Sequence, residues 1–106
     1  MEITYKNIDD TVIACLSGEL DEFTAEHVRL SLDTILKDME SIGSAKLILD
    51  FSKVSFMDST GIGVLLARYN KFCKNGIAIA IKNATGHVDK ILKMSGIYNI
   101  MPKLVG

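Results

Sequence analysis

Asp58-Ser59-Thr60-Gly61 places a carboxylate, two hydroxyls and a glycine between an apolar run, Leu47-Ile48-Leu49-Asp50-Phe51, and a helix-spaced set, Ile62, Leu65, Leu66, Tyr69 and Cys73. These residue types have two uses at such a junction. Asp58, Ser59 or Thr60 can each accept the amide hydrogens left unpaired in the first turn of a helix. A hydroxyl there can also carry a phosphoryl group, because a phosphate on Ser59 would meet those amides and the positive end of the helix dipole. That contact favours the modified state locally by ~0.3–1 kcal/mol. It also puts about −1.5 to −2 charges on a surface that holds Asp58 and, where the Asp21 loop lies beside it, Asp21. A fold tolerates that charge more readily than a docked partner does.

Other chemistries lack their parts. Gly61 and Gly63 leave room for close backbone approach on the first turn, but a dinucleotide fingerprint would need glycine at position 66, which is Leu66. No G-K-[ST] follows, so a phosphate-binding loop is also absent. Nucleophilic catalysis would need a base beside the serine; His27 and His87 stand alone on other segments, and no G-x-S-x-G surrounds Ser59. No group of Cys, His or paired carboxylates has metal-ligand spacing. Asp21, Glu22 and Glu26 suit a helix N-terminus. No catalytic residue, metal or cofactor is therefore expected.

The elements that must position the tetrad follow from periodicity. Val12-Ile13-Ala14-Cys15-Leu16 reads as a strand in a hairpin with Ile3-Thr4-Tyr5-Lys6 across Asp9-Asp10. After the loop Gly18-Glu19-Leu20-Asp21, Val28, Leu32, Ile35, Leu36 and Met39 form the apolar stripe of a long helix that stops at Gly43. A strand over 47–51, a loop over 52–59, a helix from Ser59 to about Lys74 and a turn at Asn75-Gly76 come next. Residues 77–81 alternate Ile and Ala as a third central strand; a short helix with Val88, Ile91 and Leu92 inward closes on Gly96, and a last strand is expected at Tyr98 to Met101. Strands alternating with helices predict an α/β fold: a mixed, mostly parallel sheet with helices packed mainly on one face. Large isoleucines would lie under the helices, small alanines behind, and Asp50 on the less covered face. The loops Gly18–Thr24, Ser52–Ser59 and Asn83–Gly86 would then share the carboxyl edge of the sheet, where open α/β sheets commonly place their sites.

Composition agrees with one ordinary globular domain over 1–106, with 48% hydrophobic and 24% charged residues. A net charge of −1 argues against direct nucleic-acid binding. The charge is unevenly spread: residues 1–45 hold ten acids against three bases, and residues 46–106 three acids against nine bases. Such asymmetry steers a partner if it survives folding as patches. Cys15 and Cys73 lie in apolar periodic segments, form no C-x-x-C pair and read as buried free thiols of a reducing compartment. The start MEITYKNIDD does not read as a signal peptide and no run is long enough to span a bilayer, so a cytoplasmic protein away from the membrane is expected.

These residues also carry a family likeness. LILDFSKVSFMDSTGIGVLLARY resembles the signature of STAS domains, specifically bacterial anti-sigma factor antagonists of the SpoIIAA type. Gly18-Glu19-Leu20-Asp21 with Thr24-Ala25 resembles the family's first-loop motif, and Lys90-Ile91-Leu92 with Met94-Ser95-Gly96-Ile97 its last-helix motif. The resemblance implies a single STAS-type domain and a switch by partner exchange. The unphosphorylated protein would bind an anti-sigma factor that is also a serine kinase, and so release a sigma factor. Phosphorylation of the serine after the motif aspartate, here Ser59 after Asp58, would switch it off, and a PP2C-type phosphatase would restore it. Asp21, Asp58, Ser59, Thr60 and Gly61 are the expected partner-binding residues; Thr60 stands where many relatives have a second serine. The alternative reading is a STAS subunit of another assembly, a lipid transporter or signalling complex, with Ser59 only a cap. Many members continue into a further C-terminal helix. Here Met101-Pro102-Lys103-Leu104-Val105 leads to Gly106, so that helix is expected to be absent or a single turn and the sheet thinly covered there.

Overall fold

An antiparallel hairpin opens the chain: β1 (Glu2–Ile8) pairs with β2 (Thr11–Leu20) across Asp9-Asp10, with Asp9 in the left-handed region at φ 58°. The structure, a computed structural model, describes residues 1–105. Helix α1 (Ala25–Ile42) returns the chain to β3 (Lys46–Met57), and α2 (Ser59–Lys74) to β4 (Ala78–Lys82). Helix α3 (Gly86–Ser95), a 3-10 turn (Ile97–Asn99) and the two-residue β5 (Lys103–Leu104) complete it. The sheet runs β1-β2-β3-β4-β5, parallel at every pairing after the first. Sequential order with right-handed crossovers sets the helices on one face.

The core grows from that face. Val12, Ala14, Leu16, Leu47, Leu49, Phe51, Ile79 and Ile81 meet Val28, Leu32, Ile35, Leu36 and Met39 of α1 in one buried cluster. Those five α1 residues are the stripe expected from the 3.6-residue period, and Gly43 closes the helix at φ 77°, as its place past the stripe predicts. The alternation in β4 also holds, with isoleucines inside and Ala78 and Ala80 behind. Asp50 lies on the less covered face, where its Oδ1 accepts from Ser52 N (2.9 Å) and Asn83 Nδ2 (3.3 Å). Asp33 joins α1 to α2 by accepting from Arg68 (2.6 Å) and Lys71 (3.3 Å), so part of the charge imbalance along the chain cancels in space.

Five expectations change. Residues 52–57 are strand, not loop, because β3 carries two extra residues relative to β2: Cys15↔Asp50 is followed by Ser17↔Lys53, and Gly18↔Val54 by Glu19↔Phe56. These bulges reset the alternation, so the inward residues fall at Phe51, Val54 and Met57, three apart, a spacing that no regular strand shows. For the same reason Gly18–Leu20 belongs to β2. On α2 the fully buried residues are Gly61, Leu65 and Phe72, with Ile62 and Tyr69 half-buried against the core as expected, while Leu66 is 38% exposed. Cys15 and Cys73 are both exposed rather than buried, Cys15 on the open face between inward Ala14 and Leu16, Cys73 just past inward Phe72. Finally, Tyr98–Met101 is a turn rather than a strand. Gly96 ends α3 at φ 79°, Met101 N donates to Ile97 O (2.8 Å), and pairing with β4 begins only at Lys103.

Candidate functional site

Asp58 stands alone between β3 and α2, and its extended backbone (φ −126°, ψ −173°) turns the chain from sheet to helix. Its Oδ1 accepts from Thr60 N (2.9 Å) and Gly61 N (3.2 Å), while its carbonyl takes the first helical bond, from Ile62 N (3.3 Å). Of the three capping candidates, aspartate is the cap. Ser59 and Thr60 therefore have no capping duty and both are exposed. The amides expected to greet a phosphate are already taken at Thr60 and Gly61, so a phosphate on Ser59 would have to compete with the Asp58 carboxylate for them.

The two glycines differ. Gly61 is buried, and a Cβ there would stand 2.8 Å from both Leu20 Cγ and Leu20 O and 3.2 Å from Met57 Cγ. Gly63 would meet nothing within 4 Å. Only Gly61 is needed for a close approach, that of the end of β2 to the start of α2. The same junction is tied by Asp58 N donating to Leu20 O (3.3 Å), next to the Leu20↔Met57 pair.

That pairing brings Asp21 to the edge that bears Ser59. Its side chain, however, is turned into its own loop. Asp21 is 8% exposed, and its Oδ1 accepts from Phe23 N (2.9 Å) and Thr24 N (3.2 Å). Thr24 Oγ1 accepts from Asp21 N (3.1 Å) and donates to Glu19 O (2.8 Å). Asp21 thus caps the entry to α1 from three residues ahead, while Thr24 makes no side-chain cap of its own. Asp58, Ser59 and Thr60 form one surface turn. Gly61, expected among the contact residues, is buried beneath it against Leu20 and so shapes the turn rather than presenting a surface, and Asp21 underlies the neighbouring loop.

Aromatic residues at this edge escaped the sequence reading. Phe23 is 88% exposed, and Phe56, 40% exposed, stacks on His87 at the start of α3 with centroids 5.8 Å apart. The available signal for Phe23 was its isolation in the polar stretch Asp21-Glu22-Phe23-Thr24-Ala25-Glu26, outside the α1 stripe. Phe56 was hidden by the bulges. The third loop, Asn83–Thr85, joins the edge through Asn83, at φ 64°, and its bond to Asp50. Burial works against ionisation of Asp50, but Ser52, Asn83 and the Lys82 charge outweigh it and hold the carboxyl below its ordinary range.

Two clefts lie away from this edge. A groove of about 510 Å³ runs beside Leu30, Asp33, Lys37 and Lys71, and one of about 330 Å³ beside Ile48, Ala80 and Leu104. Among the described residues no three His, Cys, Asp or Glu side chains are grouped to hold a metal, and no helix is long and apolar enough to cross a membrane. The edge is thus a surface of hydroxyls, carboxylates and exposed rings, suited to contact with another macromolecule.

Comparison with known proteins agrees with this layout. A family model described as the STAS domain matches residues 2–105. An anti-sigma F factor antagonist of Paenibacillus polymyxa is 32% identical over 102 residues, spanning 96% of this chain and 85% of that one. The anti-sigma factor antagonist SpoIIAA in its unphosphorylated form superposes with a TM-score of 0.77 at 25% identity, over 98% of this chain and 89% of that one. The phosphorylated form of the Bacillus cell fate determinant SpoIIAA gives 0.68 at 25% identity, over 98% and 92%.

Proposed function

Since the chain belongs to the STAS domain family, we propose that it is an anti-sigma factor antagonist switched by phosphorylation of Ser59. It works as a binding module: unphosphorylated, it docks an anti-sigma factor through the Asp58-Ser59-Thr60 turn and the adjoining loop, and so frees a sigma factor. The observation that carries this reading is an exposed serine, relieved of capping by Asp58, at the first position of a helix on the site-bearing edge. The partner is also the kinase. Ser59 Oγ attacks the γ-phosphorus of ATP, the bond to the β,γ-bridging oxygen breaks so that ADP leaves, and the hydroxyl proton passes to solvent. A PP2C-type phosphatase then hydrolyses the ester with water, releasing inorganic phosphate and restoring binding. All of this takes place in the cytoplasm.

Electrostatics supply the switch. The phosphate brings about −1.5 to −2 charges to a turn that already carries Asp58, and the neighbouring strand end and loop expose Glu19 and Glu22. With the Thr60 and Gly61 amides held by Asp58, the new charge projects toward the partner without a prepared counter-ion. Leaving such a charge unpaired in a contact costs on the order of 2–5 kcal/mol, a loss of tens- to thousands-fold in affinity. Any stabilisation by the helix end is present in the free protein too and nearly cancels from the binding difference.

The test is calorimetric titration of each purified kinase-type anti-sigma factor of the source organism. Ser59→Ala should bind constitutively and resist inactivation by ATP, Ser59→Asp should bind poorly, and the same changes at Thr60 should matter less. Mass spectrometry after incubation with ATP should find the phosphate on Ser59. Equal affinities for the wild type, the Ser59-phosphorylated protein and Ser59→Asp would leave Ser59 as an ordinary surface residue and refute the switch. No observation above favours a subunit role in a transporter or other signalling assembly.

A further inference from the structure

Phe23 is held in water by a loop that is otherwise tightly made. The ring is 88% exposed, more than twice the 40% of Phe56, while Asp21 two residues before it is 8% exposed. Four hydrogen bonds fix the backbone around it: Phe23 N and Thr24 N to Asp21 Oδ1, Asp21 N to Thr24 Oγ1, and Thr24 Oγ1 to Glu19 O, all between 2.8 and 3.2 Å. A buried carboxylate spent on ordering the backbone beneath an exposed aromatic gives a pre-organised projection. Binding through it leaves the backbone as it is and orders only the two side-chain torsions of the ring, a small part of the cost that otherwise lowers affinity. Large rigid rings of this kind dominate interface energetics when they enter a partner's pocket.

From this, and resting on the proposed function, we infer that Phe23 is the anchor of the anti-sigma factor interface and that Asp21 is a positioning residue for it. The occupant of the ring is an apolar pocket on the anti-sigma factor, and the charge around the loop defines the rim of that pocket. Glu19 and Glu22 are exposed, Glu26 has 69% of its side chain exposed, and Arg29, paired to Glu26, is the base nearest in sequence. Complementarity therefore calls for lysine or arginine around the pocket. The same acids disfavour two other occupants. An anionic lipid surface would be repelled, and a second copy meeting this loop face to face would set acid against acid.

The experiment titrates purified wild type, Phe23→Ala, Asp21→Asn, Asp21→Ala and Ser59→Asp into each purified kinase-type anti-sigma factor of the source organism, at two salt concentrations. Phe23→Ala should weaken binding by about thirtyfold or more, the measure of a hot-spot residue, with no fall in melting temperature. Asp21→Asn keeps an oxygen to accept both loop amides and should bind within about threefold of wild type, whereas Asp21→Ala should lose both affinity and stability. Wild-type affinity should fall with salt. Phe23→Ala binding within about threefold of wild type while Ser59→Asp fails to bind would overturn the anchor and leave the Ser59 reading intact. Asp21→Asn as weak as Asp21→Ala would make the carboxylate charge itself a contact and overturn the positioning role. Phe23-dependent self-association in sedimentation would assign the ring to a second copy and overturn the inference. Failure of the wild type to bind any of these factors would overturn the functional reading and the anchor together.

Discussion

Replacing Gly61 by alanine adds one methyl group at the point where the sheet hands the chain to α2. That Cβ would sit 2.8 Å from Leu20 Cγ and from Leu20 O, where carbon contacts are normally about 3.5–4.0 Å. The side chain of Leu20 has little room to yield, being fully buried, and its carbonyl is tied to Asp58 N at 3.3 Å. Over-packing of this kind costs about 1–3 kcal/mol. Against it stands the helix preference of alanine over glycine, at most about 1 kcal/mol in a helix interior and less at the third helical residue. The expected balance is a loss of about 1–2 kcal/mol, or roughly 5–10 °C in Tm for a domain of this size. Gly63→Ala is the internal control. Its Cβ meets nothing within 4 Å, so the preference is uncompensated and the variant should gain about 0.5–1 kcal/mol. Urea and thermal unfolding of wild type and both variants, with unchanged m-values, measure the two effects. Gly61→Ala as stable as wild type, or both variants moving in the same direction, would refute the close approach as the reason for glycine at position 61.

Three other outcomes are expected. Asp58→Ala removes the acceptor of two first-turn amides and should cost about 0.5–2 kcal/mol in urea unfolding, with Asp58→Asn recovering most of it. Cys15 and Cys73 are exposed, so a disulfide exchange reagent should titrate two thiols in the native protein without denaturant; one or none would contradict their placement. Tyr98 Oη donates to Asp89 at 2.7 Å and Lys103 Nζ at 3.0 Å, and these bonds hold the Asp89 carboxyl below its ordinary range. A folded-state pKa below the unfolded value of about 3.9 gives stability that is present above that pH and lost as pH falls through the folded value. Asp89→Asn should therefore be less stable than wild type at neutral pH, and the difference should shrink in unfolding measured from about pH 5 down to pH 3.

The parts of this molecule that are governed by one uninterrupted period could be read residue by residue. Val28, Leu32, Ile35, Leu36 and Met39 are buried because a single helix lies on a single sheet face, and the 3.6-residue repeat records that directly. The start of α2 at Ser59 was legible for a similar local reason. An aspartate and two hydroxyls before a helical repeat are a capping signal wherever they occur, although which of them caps was left open. The same run of residues, matched to its family, named Ser59 and its neighbours as the candidate site. Gly43 and Gly96 end their helices in the left-handed conformation that their positions imply.

What escaped depends on contacts between segments far apart in the chain. The inward triple Phe51, Val54 and Met57 has no recognisable period, because the two bulges exist only in the pairing of β3 with β2. Gly61 and Gly63 look alike in sequence, and only the passage of Leu20 across the first turn of α2 separates an obligatory glycine from a dispensable one. Asp21 and Phe23 invert the usual partition of charged and apolar side chains, the carboxylate buried and the ring in water. Local propensity would assign them the other way round. The loop amides, left unpaired where β2 gives way to α1, need an acceptor more than the core needs one further phenyl ring. Periodicity thus located most of the elements and the family likeness the serine, while the cross-strand register and backbone hydrogen bonding decided which neighbouring groups face the solvent beside it.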